Sequence, residues 1–315
     1  VILRVIQRVA ILAASLFASS VLVFGFMTVL PGDPARVALG VNASDEAVAQ
    51  LRTQFGLDRS LVTQYLDWVG GLLSANLGQS YVSRAEIGPQ VSDRLQVSLW
   101  LVVTSMVIAA VIAIPLGALS ALRHRRPSGL ALSALSQIGV AVPAFLAGIL
   151  LITLFAVQLG WLPANGWTPP ATDPAMFLKQ LVLPALSLGL VQGAVLTRYV
   201  RSAVLDVQRE DYVRTARAKG LSPAAALRRH GLRNAAVPVV TVLGLQLATL
   251  LVGAVVVERV FVIPGMGSLL LDAVAQRDLK IVQDVVMVLV VAVLVVNLVV
   301  DLLYVAIDPR LRVRA

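Results

Sequence analysis

The sequence predicts an all-α integral membrane protein with six transmembrane helices and both termini in the cytoplasm. Three observations lead there. Hydrophobic residues make up 58% of the 315-residue chain and charged residues only 14%, where a soluble domain carries about 25% charged residues. The apolar residues form long charge-free runs, and the arginines and lysines gather in alternate connecting loops, which is the positive-inside pattern.

Residues 9–30 are 22 residues without a charge, preceded by Arg4 and Arg8. At 1.5 Å rise per residue such a run crosses about 30 Å of hydrocarbon. The apolar core of a secretory leader is nearer about 7–15 residues, so the run reads as an uncleaved first span. Pro31, Gly32 and Pro34 stop it. Residues 31–94 then form a polar, extracytoplasmic region with short helices. Ser44 is placed to cap one, with Asp45 and Glu46 in its first turn and Gly56 at its end. Leu61, Tyr65, Trp68 and Leu72 recur at helical spacing in a second, whose apolar face packs on the spans or their interface.

From residue 95 to residue 122 there is again no charge, giving a second span with Pro115 and Gly117 near its end. The third is predicted within 129–157 as one helix with Pro143 in its middle. Residues 158–179 read as a structured loop with Trp161 and Trp167 as interfacial anchors. The fourth span, about residues 180–200, is predicted to be the shortest. The fifth covers about 235–257 and the sixth about 281–307. This topology sets 17 Arg/Lys on the side of the termini against nine on the other, which orients the termini and the 198–233 loop to the cytoplasm. The net charge of +9 is thereby a matter of topology, and no nucleic-acid partner is expected.

Several chemistries are excluded. The chain has no cysteine and two histidines, His124 and His230, in separate loops, so neither a metal centre nor a catalytic residue is expected. A G-x-x-x-x-G-K-[ST] phosphate loop is absent, so the chain is not read as an ATPase of that kind, and no cofactor is expected in it. Asp284 and Asp301 bound the apolar centre of the last span; Asp301 is close to its cytoplasmic end, where an interfacial or helix-packing role accounts for it better than a proton relay does. Gln137, Gln192 and Gln246 place amide side chains within the third, fourth and fifth spans, where they either bond between helices or line a pathway.

The most informative stretch is the basic loop. Nine Arg/Lys lie between Arg198 and Arg233, against Asp206, Glu210 and Asp211. Asp211 to Lys219 has acidic residues at its start and a lysine at its end, matching a helix dipole. Gly220 stops it, and Ser222-Pro223 caps a second helix through about Leu232. Small residues such as Ala216 and Ala218 allow a partner to approach closely.

The run Tyr212-Val213-Arg214-Thr215-Ala216-Arg217-Ala218-Lys219-Gly220, with Leu232-Arg233-Asn234-Ala235 and Pro238, resembles the cytoplasmic "EAA" loop of ABC-importer permeases. The Arg214-Thr215-Ala216 spelling is that of the dipeptide, oligopeptide and nickel branch. Leu30-Pro31-Gly32-Asp33-Pro34, Asn76-Leu77-Gly78-Gln79-Ser80, Leu183-Pro184-Ala185-Leu186, Glu258-Arg259-Val260-Phe261, Pro264-Gly265-Met266-Gly267, Asp301-Leu302-Leu303-Tyr304 and Asp308-Pro309-Arg310 are similar to that branch in the same order. The external loop between spans one and two marks the B-type subunit.

The resemblance implies a type I importer permease fold in the inner membrane of a prokaryote. Residues 1–30 are the N-terminal segment and first span, and 31–94 the extracytoplasmic region. Residues 95–315 are the permease core, with a coupling loop at 201–235. The coupling residues it implies are Asp211, Tyr212, Arg214, Thr215, Ala216, Lys219, Gly220, Leu221, Ser222 and Pro223. The implied partners are a homologous C-type permease, two ABC ATPase subunits carrying ATP and Mg, an extracytoplasmic substrate-binding protein and the lipid bilayer. Dipeptides or oligopeptides are the implied cargo, with nickel, haem or another small solute as the alternative. A stand-alone channel or secondary carrier would call for an inverted repeat or a mid-membrane ionisable group, and a membrane-embedded enzyme would need a catalytic set; the sequence offers none of these.

Overall fold

The computed structural model describes residues 2–30, 32–40 and 42–307, without the side chains of 2–5, 301 and 303–307. The side chains of Asp301 and Tyr304, together with Pro31 and the run 308–310, therefore lie outside the described residues. Those residues form α-helices and two π-helical segments, with one isolated antiparallel bridge between Gln79 and Glu86. They divide into two units.

One unit comprises residues 9–98 and 264–295. Its first helix, α1, is Ile2–Val29, continuous across the predicted first span. Asp33 accepts from the Ala35 amide and starts α2 (Pro34–Leu39); Ser44 accepts from the Ala47 amide and starts α3 (Asp45–Phe55), which ends on Gly56 in the left-handed region. Ala35, Val48 and Leu51 are the small core between these two helices. Helix α4 (Leu61–Leu73) buries Trp68 against the Phe24 ring, 6.0 Å away, while Tyr65 meets the same ring edge-on at 5.5 Å.

Deeper in the same unit lies the start of α13 (Leu279–Ile307). Asp284 on it has no exposed surface; it accepts from Trp68 Nε1 at 2.7 Å and from Lys280 Nζ at 3.3 Å. Six residues earlier, just before α13, Asp278 accepts from Ser80 Oγ and from the Tyr81 amide, so the 76–86 turn is fastened to the base of α13. Helix α12 (Met266–Ala275), which the sequence reading did not anticipate, completes this unit with Met266, Leu269 and Ala273 packed on Ile281, Val282 and Val285.

The other unit comprises residues 1–8, 99–263 and 296–315. Helix α5 (Ile87–Leu122) enters it from the first unit and begins eight residues before the predicted second span. The predicted single third span is corrected to a bent pair, α6 (Pro127–Ala141) and α7 (Ala144–Leu151), the latter continued by a π segment to Gln158. The two halves meet at 98°. Val142, before Pro143, is extended (φ −84°, ψ 121°), as the proline ring demands of its predecessor, and Pro143 has no amide to continue the helix. Counting the pair as one span gives six; otherwise five helices are long and apolar enough to cross a membrane.

The fourth predicted span, residues 180–200, lies inside a longer helix. It is no short helix: α8 (Pro174–Arg209) runs for 36 residues, started by the Asp173 carboxylate on the amides of Ala175 and Met176. Lys179 and Arg198 interrupt the charge-free run without interrupting the helix. Helix α8 is the centre of this unit, packed against α6, α7 and α11 (Leu232–Val260).

Candidate functional site

The basic loop is a short helix folded back against the end of α8. Helix α9 (Asp211–Ala218) starts directly from the α8 C-cap, Glu210. Val213 and Ala216, three residues apart, are buried in a cluster with Val204, Val207, Ala226, Leu227 and Ala235. The opposite face is exposed: Asp211, Tyr212, Arg214, Thr215, Ala218 and Lys219. Arg214 Nη1 donates to Asp211 Oδ1 at 3.2 Å and Thr215 Oγ1 to the Asp211 carbonyl at 2.8 Å, so the polar face is ordered by its own first turn.

One expectation is corrected here. Ala216 does not wait for a partner; it faces inward, because its position is on the apolar stripe of Val213. Ala218 is the small residue on the free face.

The turn is fully hydrogen-bonded. Gly220 has φ +95°; its amide donates to the Arg217 carbonyl at 3.0 Å and the Leu221 amide to the Ala216 carbonyl at 3.3 Å. This is the Schellman pattern of a helix end, with Leu221 lying against the same apolar cluster. Ser222 Oγ then accepts from the Ala225 amide at 3.3 Å and Pro223 opens α10 (Pro223–Ala226). The predicted separate helix ending near Leu232 is corrected: α10 passes through a π segment, Leu227–Gly231, into α11, making one helical stretch from Pro223 to Val260. One contact had no local signal. Asn234 Nδ2 donates to the Tyr212 hydroxyl at 2.7 Å and ties α9 to the start of α11 across 22 residues of sequence.

The three span glutamines are placed differently. Gln137 is on an exposed face of α6. Gln192 on α8 donates to Thr249 Oγ1 on α11 at 3.2 Å, and Thr249 donates to the Gln246 carbonyl. The Gln246 side chain is 6% exposed with neither amide atom bonded. Gln192 thus bonds across the α8–α11 contact, Gln246 is buried on α11, and Gln137 is exposed on α6.

Residues 113–313 match the family described as the binding-protein-dependent transport system inner membrane component, and residues 1–102 match the N-terminal part of such membrane components. The chain belongs to this family. The permease is 42% identical over 309 residues to the glutathione transport system permease protein GsiC of Escherichia coli K12, and 41% identical to that of Shigella flexneri serotype 5b; 98% of each chain is covered in both cases. Among solved structures, the inward-facing MetNI methionine ABC transporter matches with a TM-score of 0.57 at 19% identity, over 69% of this permease and 96% of that chain. An amino acid ABC transporter matches with 0.53 at 18% identity, over 69% and 93%. The fold is that of type I ABC-importer permeases. The permease is therefore a multi-pass inner-membrane transport component, not an enzyme.

Proposed function

We propose that this permease is the B-type half of an ATP-driven importer of short peptides, glutathione-like tripeptides included, and that the exposed face of α9 docks an ATPase. The observation that carries the docking role is the division of α9: Val213 and Ala216 anchor it to the body, leaving an ordered polar ridge and a small residue, Ala218, free. A solvated loop has no need of such an anchored ridge. The partners are a C-type permease, two ATPases holding ATP and Mg, and an external binding protein. The basic loop then lies in the cytoplasm and residues 31–94 outside, as the 17-to-nine charge division favours.

The peptide cargo is supported by the 42% identity to a glutathione permease over 98% of the chain and by the Arg214-Thr215-Ala216 spelling. Uptake by proteoliposomes holding both permeases and both ATPases, with the binding protein outside, tests it. ATP-dependent accumulation of glutathione or dipeptides is expected, without accumulation of nickel or haem. Uptake of nickel or haem alone would replace the cargo and leave the docking role standing.

A further inference from the structure

The unit of residues 9–98 and 264–295 carries a partly open cavity of about 540 Å³ that the docking role does not use. It lies between the end of α1, helices α3 and α4, the 76–81 turn and the first residues of α13. Its size falls within the range of about 300–1,000 Å³ typical of small-ligand sites. The wall combines aromatic faces, Trp68 and Tyr81 among them, with charges of both signs. Arg52 pairs with Asp33 at 3.2 Å, Arg59 with Asp67 at 2.8 Å, and Lys280 with the buried Asp284 at 3.3 Å.

This wall selects a kind of ligand. A simple anion entering it meets Asp33 and Asp67; a simple cation meets Arg52, Arg59 and Lys280. A compact molecule with an ammonium at one end and a carboxylate at the other can address both. Lys280, with 17% of its side chain exposed, directs one of its three N–H donors to Asp284; the aromatic faces offer apolar contact to side chains between the charged ends.

We propose that this cavity is a binding site for a short zwitterionic peptide, its carboxylate toward Lys280 and its ammonium toward Asp67. The proposal rests on the reading that peptides are the cargo. A phosphoethanolamine headgroup has the same pairing of charges, so the test must separate the two.

Equilibrium dialysis of the assembled four-subunit transporter in detergent, without binding protein or ATP, supplies the test, with radiolabelled glutathione and dialanine as probes. Saturable binding is expected, weakened about tenfold by Asp67→Asn, the effect of losing one charge-assisted contact. Asp67 is half exposed, so the fold tolerates the change. Glycerophosphoethanolamine at equal concentration should displace little of the peptide. No saturable binding, binding indifferent to Asp67→Asn, or displacement by glycerophosphoethanolamine would each overturn the site. The same complexes are then assayed for uptake with the binding protein present. ATP-driven peptide uptake without binding in the cavity sinks the cavity site alone; absence of peptide uptake sinks the cargo reading.

Discussion

Gly220 holds a backbone conformation of φ +95° with open space around it, for nothing lies within 4 Å of where a Cβ would stand. A side chain there is opposed by backbone strain alone, of about 1–3 kcal/mol, and the strain is largest for a β-branched residue. Gly220→Val should therefore loosen the Schellman end of α9 without disturbing the spans. ATP hydrolysis by the assembled transporter is expected to continue while uptake per ATP falls; uptake coupled as in the unaltered transporter would remove the role assigned to this turn. Tyr81 offers a second residue-scale test. Burial, then the carboxylates of Asp284 and Asp278, push its phenol from 10.0 up to about 12. Because the folded value is the higher one, the stability it contributes is complete below about pH 10 and is lost as pH climbs through about 12. In an ultraviolet titration, the signal that Tyr81→Phe removes should be centred near pH 12; a lost signal centred near pH 10 would contradict it. Both turn residues of the loop, Gly220 and Ser222, were legible in the sequence because capping acts over three to five residues. The Tyr212–Asn234 bond was not, since it depends on how α9 folds back.

The helices show the same division between local and long-range causes. Charge-free length sufficed to find the spans, because a bilayer demands about 20 apolar residues in succession. It could not find their ends. Helix α8 continues through Lys179 and Arg198 as an ordinary polar helix, and the π segment at Leu227–Gly231 has no hydropathy signature. Pro143 was read as a feature inside one helix, whereas its missing amide and the extended Val142 turn the chain by 98°. Helix contacts are closest at small residues. A Cβ on Gly117 of α5 would stand 2.6 Å from Val200 Cβ and 2.8 Å from the Thr197 carbonyl oxygen of α8. The carbonyl belongs to a buried helix backbone and cannot move aside, so Gly117→Leu should overpack this crossing by about 1–3 kcal/mol. A lower thermal unfolding midpoint of the purified permease is expected; an unchanged midpoint would mean that α5 and α8 re-space freely.

For the whole molecule, family membership was legible in the sequence from the order of short motifs along the chain, each weak alone. The cavity beside Trp68 and Lys280 was not, because its wall is assembled from five separate segments. The central claim is that the exposed ridge of α9 meets an ATPase in the cytoplasm, and the absence of cysteine from the chain makes it directly measurable. A cysteine can be introduced by Ala218→Cys on the free face of α9, and by Ser74→Cys at the exposed end of α4, which the proposed topology puts outside. In membranes holding the complete transporter, Ala218→Cys is expected to cross-link to an ATPase subunit carrying a single cysteine in its cleft, and Ser74→Cys is not. Cross-linking from position 74, or none from position 218 while the transporter remains active, would contradict the docking role of α9.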